Sequence, residues 1–364
     1  MYIHELDDWP KFRWNQEAIF EQLIPLRRHQ GLLMGKMETL GFDLRKEALL
    51  QTLTNDVIKS SEIEGEILEM PLVRSSIARR LGMDQAGLNK VDRNVEGVVE
   101  MMLDDTQNYN TILSKERLFA WHSSLFPAGY SGLSKIAVGE WRKGPIQVVS
   151  GYSGKEIIHF EGPPAGRVDK EMSAFLDWLN KENHIDQVLK ACIAHLWFVT
   201  IHPFEDGNGR IGRAIADLLL ARSENSTQRY YSLSAQIQLE RKDYYTILEQ
   251  SQKGDLEITH WLKWFLGCLR RAILGASETL SSVMYKAKFW ESISNNKLND
   301  RQKKMLNRLL DGFDGQLTTS KWAKIVKCSQ DSAYRDILEL VNLGILHKNP
   351  QGGRSTNYTL HKIS

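Results

Sequence analysis

Along most of the chain, apolar residues recur three or four positions apart, the spacing of one face of a helix. Val188, Cys192, Leu196 and Val199 follow it, and so do Ile211, Ile215, Leu218 and Leu219. On this pattern helices are predicted over about 15–40, 45–64, 71–81, 88–103, 114–126, 167–182, 186–200, 210–223, 240–251 and 256–275. Pro71 stands at a helix start, where its missing N–H costs nothing. The period shortens to two over Ile146-Gln147-Val148-Val149 and Ile157-Ile158-His159-Phe160, on either side of a stretch holding Gly151 and Gly154. That is a hairpin, halted by Pro163-Pro164. From about 297 the pattern restarts: helices over 300–311, from Thr318 or Thr319 to Val326, and from Ser329 or Gln330 to Val341, ending at Gly344. Two short strands, 345–348 and 357–360, then flank Gln351-Gly352-Gly353-Arg354. The expected fold is an all-α body with a small β-hairpin, followed by a separate C-terminal domain.

Between two of these helices lies His202-Pro203-Phe204-Glu205-Asp206-Gly207-Asn208-Gly209-Arg210-Ile211-Gly212-Arg213. A glycine-rich loop ahead of a helix leaves free backbone N–H groups that suit an anion. Arg210 and Arg213, three apart, share a helix face away from the apolar stripe. In the first turn their charge opposes the helix dipole, and a bound polyphosphate reverses that cost. Asp206 offers the single carboxylate that Mg²⁺ commonly takes beside phosphate oxygens. His202 is the group of this loop that exchanges a proton near neutral pH. A helix hairpin with a polar turn accounts for each residue singly but not for all of them together.

This stretch resembles the Fic signature H-P-F-x-[D/E]-G-N-G-R-x-x-R, with every specified position present. The resemblance implies a Fic-type helical core and transfer of AMP from ATP to a protein hydroxyl. By it, His202 is the base that deprotonates the target hydroxyl, and Asp206 the Mg²⁺ ligand. Gly207, Asn208, Gly209 and Arg210 are the phosphate cradle, Arg213 the γ-phosphate partner, and Phe204 a buried anchor. The hairpin over 146–160 becomes the flap on which a target segment docks, since an open strand edge captures extended peptide. His122 and His159 read as packing or supporting groups. Tyr244 and Tyr245, past the signature helix, are weak candidates for the adenine pocket.

The predicted helix over 45–64 ends at Gly65 with Glu62 and Glu64 in its last turn, the wrong charge for a helix C-terminus. Ser60-Ser61-Glu62-Ile63-Glu64-Gly65 is similar to the inhibitory pattern [S/T]-x-x-x-E-[G/N] of the same family. The resemblance makes Ser60, Glu64 and Gly65 an inhibitory element, with Glu64 paired to Arg213 across the γ-phosphate site.

Of 364 residues, 42% are hydrophobic, enough for packed cores and against wholesale disorder. Cys192, Cys268 and Cys328 have no metal or redox spacing and read as reduced thiols of a cytoplasmic protein. The N-terminus lacks an apolar signal core, and the most apolar run, 260–276, is broken by Lys263, Arg270 and Arg271, so no membrane span is expected. Charge is uneven: residues 297–364 hold 12 Lys/Arg against 6 Asp/Glu, a surplus of +6 in a chain of net +2. Three helices and a hairpin there resemble a winged helix-turn-helix. Its third helix would present Gln330, Asp331, Ser332, Tyr334 and Arg335, and its wing Arg354. DNA binding and protein docking are equally expected of it.

The boundaries expected are 1–104 for an N-terminal helical region, with Trp9, Phe12 and Trp14 tying down its start, then 105–275 for the catalytic core, 276–296 for a linker and 297–364 for the winged helix. The expected partners are ATP with Mg²⁺, a target protein, DNA and a second copy of the chain. Competing readings are a regulator using the Fic body as a sensor, and a Fic enzyme with another donor or with de-AMPylating activity.

Overall fold

The computed structural model describes residues 1–83, 93–150, 155, 157–181, 184–310, 313, 315–349 and 356–361. The expected hairpin turn with Gly151 and Gly154, the start of the helix expected from 88, and the wing turn with Arg354 lie outside them. The chain divides into two compact units, 1–278 and 279–364.

The first unit runs from a 3₁₀ turn (Ile3–Glu5) through helices α1 (Gln16–Glu38), α2 (Phe42–Ile63), α3 (Met70–Arg80), α4 (Arg93–Gln107) and α5 (Lys115–Leu125). Two antiparallel hairpins follow, β1 (Tyr130–Ser131) with β2 (Ser134–Lys135), and β3 (Gln147–Ser150) with β4 (Ile157–Glu161). Then come α6 (Val168–Asn180), α7 (Gln187–Ile201), α8 (Asn208–Glu224), α9 (Leu233–Leu239), α10 (Arg241–Lys253) and α11 (Thr259–Ser292). Every residue of α7 from Val188 to Ile201 is buried, as a helix apolar all round must be. It is the axis of the unit, with α6 and α8 packed on it and α4 and α5 beyond α8. The expected start of the chain holds: Asn15 caps α1, and Trp9 and Phe12 lie edge-on to Trp197 of α7.

Three boundaries differ from the reading of the pattern. Helix α8 starts at Asn208, two residues early, which puts Arg213 in its second turn rather than its first. Helix α9, seven residues behind a Ser232 cap, is too short to show a period. The stretch expected as a linker is helical as far as Ser292. No proline interrupts it, and Leu280 and Phe289 along it are buried.

The second unit follows the expected order: α12 (Asp300–Leu310), α13 (Thr319–Val326), α14 (Gln330–Asn342), then β5 (Leu346–Lys348) paired antiparallel with β6 (Tyr358–Leu360). Thr318 and Ser329 cap α13 and α14, and Gly344 follows α14 at φ 72°. Trp322, Met305, Leu306, Ile337, Leu340 and Tyr358 lie in its own core.

Candidate active site

The site is built where the buried α7 stops. His202 takes a left-handed backbone, φ 51°, its N–H closing on Phe198 O at 3.0 Å, and Pro203 prevents another turn. The loop then re-enters α8 through Gly207, also left-handed at φ 80°, where a Cβ would come 2.9 Å from the Phe126 ring. A non-glycine residue there meets both the strained φ and the ring.

Side chains staple this loop. The Asn208 carboxamide accepts from the Phe204 N–H and donates to the Phe204 carbonyl, both at 2.9 Å. Its side chain therefore shapes the loop, leaving its backbone N–H for the expected cradle. Phe204 is fully buried and stacks on His122 at 4.2 Å, the anchor expected of it. His122 accepts from Gly139 N at Nδ1 and donates from Nε2 to Asp206 O, the pattern of a neutral ring. Burial holds its pKa down at about 4, in keeping with that form. It packs and supports, as the sequence reading expected. Arg142, which no motif pointed to, is buried and clamps the loop from outside. Its Nε donates to His202 O at 2.8 Å and its backbone N–H to Pro203 O at 2.9 Å.

His202 itself is half-buried, and its Nδ1 lies 3.1 Å from Val199 O. A carbonyl only accepts, so the proton sits on Nδ1 and Nε2 carries the lone pair. Burial lowers the pKa of the ring, against the raising effect of the Val199 bond. The Asp206 carboxylate accepts from the Gly207 N–H and from the hydroxyl of Ser131 in β1. It is one carboxylate beside a helix N-terminus, a donor set that suits a cation arriving with phosphate oxygens. Among the described residues no cluster of three or more His, Cys, Asp or Glu could hold a metal by itself.

Both arginines of α8 are buried and both meet a carboxylate from the end of α2. Arg213 pairs with Glu64 at 2.8 Å and donates from Nε to Ser60 Oγ at 3.0 Å and from Nη2 to Ser60 O at 2.8 Å. Burial works against charge on Arg213, but Glu64 more than offsets it, and the pKa is raised. Arg210 lies 5.0 Å from the Phe126 ring and pairs with Glu66 at 2.6 Å, a partner no sequence pattern announced. The end of α2 delivers both acids. Gly65, at φ 85°, follows Glu64, and the N–H groups of Gly65 and Glu66 return to the carbonyls of Glu62 and Ser61, each at 3.0 Å. Arg241 Nε donates to the carbonyl of Ile63 at 3.0 Å. The closeness of Glu64 to the α8 N-terminus is direct: a Cβ on Gly209 would stand 2.1 Å from its Oε1. No side chain caps α8, so its first-turn amides face this region without an intrahelical acceptor.

Of the tyrosines, Tyr244 is buried with its hydroxyl on His195 Nε2 at 2.9 Å, a core position. Tyr245 OH reaches Ile63 O at 3.5 Å. In the hairpin of β3 and β4, His159 bridges Glu249 of α10 at 2.8 Å and Ser150 at 2.6 Å, a structural role, while Val149, Ile157 and Ile158 are exposed.

A helical core with a histidine-capped buried helix, a stapled glycine loop and two buried arginines defines a Fic-domain protein, and residues 112–220 match the model of the Fic/DOC family. Residues 2–83 match a family described as a domain of unknown function, DUF4172. The chain is similar to the protein adenylyltransferase Fic of Culex quinquefasciatus, 26% identical over 232 residues, 63% of this chain and 41% of that protein. It is also similar to that of Nematostella vectensis, 25% identical over 234 residues, 63% of this chain and 49% of that one. A probable protein adenylyltransferase of Aquifex aeolicus is 29% identical over 121 residues, 32% of this chain and 35% of that one. The chain thus spans less than half the length of these curated relatives. Its fold is similar to the crystal structure of a Fic family protein from Desulfovibrio desulfuricans, with a TM-score of 0.53 at 23% identity over 96% of this chain and 98% of that one. A Fic domain containing signaling protein from Bacteroides thetaiotaomicron gives 0.52 at 19% identity over 72% of this chain and 97% of that one.

Proposed function

We propose that the chain is a protein adenylyltransferase that moves AMP from ATP to a Ser, Thr or Tyr hydroxyl, and that the end of α2 holds it inhibited. The observation that carries the reading is the pairing of a free imidazole lone pair, on His202 Nε2, with an uncapped helix N-terminus and two buried arginines. A triphosphate laid along the start of α8 meets the amides of Asn208 and Gly209 and the guanidinium groups of Arg210 and Arg213. His202 Nε2 takes the proton of the target hydroxyl. The hydroxyl oxygen bonds to the α-phosphorus, the bond from that phosphorus to the bridging oxygen breaks, and pyrophosphate leaves. A positioned base of this kind is typically worth about 10²–10⁴-fold, and fixed donors on the phosphates supply most of the rest. Asp206 would hold Mg²⁺, which neutralises phosphate charge when bound. The edge of the β3–β4 hairpin is where an extended target segment docks.

Inhibition is electrostatic and steric together. The Glu64 and Glu66 carboxylates sit on the arginines that phosphates would engage, and Glu64 lies against Gly209 as well. ATP then binds out of line. Purified chain with ATP and Mg²⁺, followed by intact mass, tests the reaction: an added AMP supports it, whereas added phosphate or no change for both wild type and Glu64→Gly rejects it. Glu64→Gly should raise transfer about 10-fold or more, since 1.4 kcal/mol of alignment already gives that factor. Arg213→Ala, which also loses the γ-phosphate contact, should not, and the double variant should resemble Arg213→Ala. Wild-type activity equal to that of Glu64→Gly counts against the inhibitory role.

A further inference from the structure

The first residues of the chain, which lie in the region of unknown function, are packed against the acceptor side of the site. Strand β4 ends beside the catalytic loop: a Cβ on Gly162 would lie 3.5 Å from His202 Cβ and 3.1 Å from Arg142 Nη2. Phe160, buried in β4, faces the His202 ring with centroids 6.5 Å apart. On Phe160 stand two more rings, Tyr2 edge-on at 5.1 Å and His4 edge-on at 5.8 Å. His4 is buried, and its Nε2 donates to the carbonyl of Glu161 in β4 at 2.8 Å. Arg167 in turn donates to His4 O at 3.1 Å and pairs with Glu171, which also takes the Trp9 indole N–H at 2.8 Å.

We propose that Tyr2 and His4 are positioning residues for the acceptor hydroxyl: they fix β4 of the docking hairpin and, through Phe160, the ring of His202. This rests on the reading of His202 as the base. The region over 2–83 then serves both substrates, with the end of α2 on the phosphate side and the 3₁₀ turn on the acceptor side. Two physical links support it. A strand in a two-stranded hairpin is marginal alone and needs an outside partner to hold its register, and here His4 bonds directly to its backbone. An aromatic ring on each side of Phe160 leaves it one position, and so limits the tilt of His202. The charged groups around His202 are Arg142, Glu64 at the end of α2 and Asp206 in the loop. None lies in the 3₁₀ turn, so variants there change the packing and hydration of the ring and not its near charges.

The test uses the full chain with Glu64→Gly as background, adding His4→Ala, His4→Gln or Tyr2→Ala. Amide exchange is read at Phe160 and Glu161, and AMP transfer onto the chain itself is followed against ATP concentration and pH. His4→Ala should speed exchange at those two amides about 10-fold and slow transfer about as much, with half-saturation by ATP within about twofold. It should also move the acid limb of the rate toward higher pH, because a looser Phe160 lets water reach His202. His4→Gln, which keeps a donor for Glu161 O, should recover most of the rate, and Tyr2→Ala should act like His4→Ala. Unchanged exchange in both alanine variants overturns the proposal, and so does a parallel loss of ATP saturation, which marks general unfolding. If the background chain forms no AMP adduct at all, the transfer reading falls, while the exchange data still decide whether the turn holds β4.

Discussion

His202 does two jobs with one backbone choice. Its left-handed φ ends α7 and turns the ring back so that Nδ1 reaches Val199 O, which assigns the tautomer. The motif makes the histidine legible, but the tautomer needs the carbonyl three residues earlier, and the clamp by Arg142 needs a contact across 60 positions of sequence. Neither leaves a local signature. His202→Ala should abolish AMP transfer while ATP affinity, followed by calorimetry, stays within about threefold, because the imidazole acts on the acceptor. Burial lowers the ring pKa, so the neutral base persists below the ordinary value of about 6.5. The rate of transfer should therefore be flat from pH 8 to 6.5 and fall only further into acid. A rate already halved at pH 6.5 would show an ordinary, solvated imidazole.

At the scale of elements, the end of α2 was the most informative misfit in the sequence. Two acids in a last turn oppose the dipole, and the structure supplies their reason in the arginines of α8. The position of Glu66 was not readable, since it depends on the left-handed turn at Gly65. That turn is itself testable. Gly65→Ala strains φ 85° and should loosen both carboxylates, costing about 1 kcal/mol of stability and raising transfer several-fold. Gly65→Asn, which tolerates a left-handed φ, should behave like wild type. A more active Asn variant would count against the turn. The middle of α2 meets a second buried arrangement. Asp56 of α2, Asp105 of α4 and Asp217 of α8 are buried around Arg229, which pairs with Asp217 at 2.6 Å. Burial pushes Asp217 up to about 7, and raises Asp105 as well. A carboxyl raised in the folded state contributes stability in full below its unfolded value of about 3.9 and loses it as pH climbs toward 7. Asp105→Asn removes one such group and its repulsion of Asp217. Its Tm relative to wild type should therefore rise steadily from pH 4.5 to 7.5, and a constant difference would exclude the coupling.

For the whole molecule, the alternation of periods separated the helical body, the hairpin and the C-terminal unit, because each is set by local spacing. The division inside α11 was not visible, since a helix that passes from one core to another keeps its period. The C-terminal unit has the order of elements expected of a winged helix-turn-helix, yet the outward residues Asp331 and Arg335 of α14 offset each other in charge. Specific base contacts from this helix would therefore rest on Gln330, Tyr334 and Arg335, and attraction to phosphates on the exposed Lys303, Lys304, Arg308, Lys324 and Lys327 of α12, α13 and the residue after α13. Counterion release makes this measurable. Full-length chain titrated against a labelled duplex should lose affinity with salt at a log–log slope of about −3 if about three of these cations engage phosphate. Lys324→Glu with Lys327→Glu should flatten that slope by about 2 and leave AMP transfer unchanged, because neither residue belongs to the first unit. Absence of any complex at low salt, with transfer intact, would assign the unit to protein docking through the exposed Tyr334 and Leu338 instead.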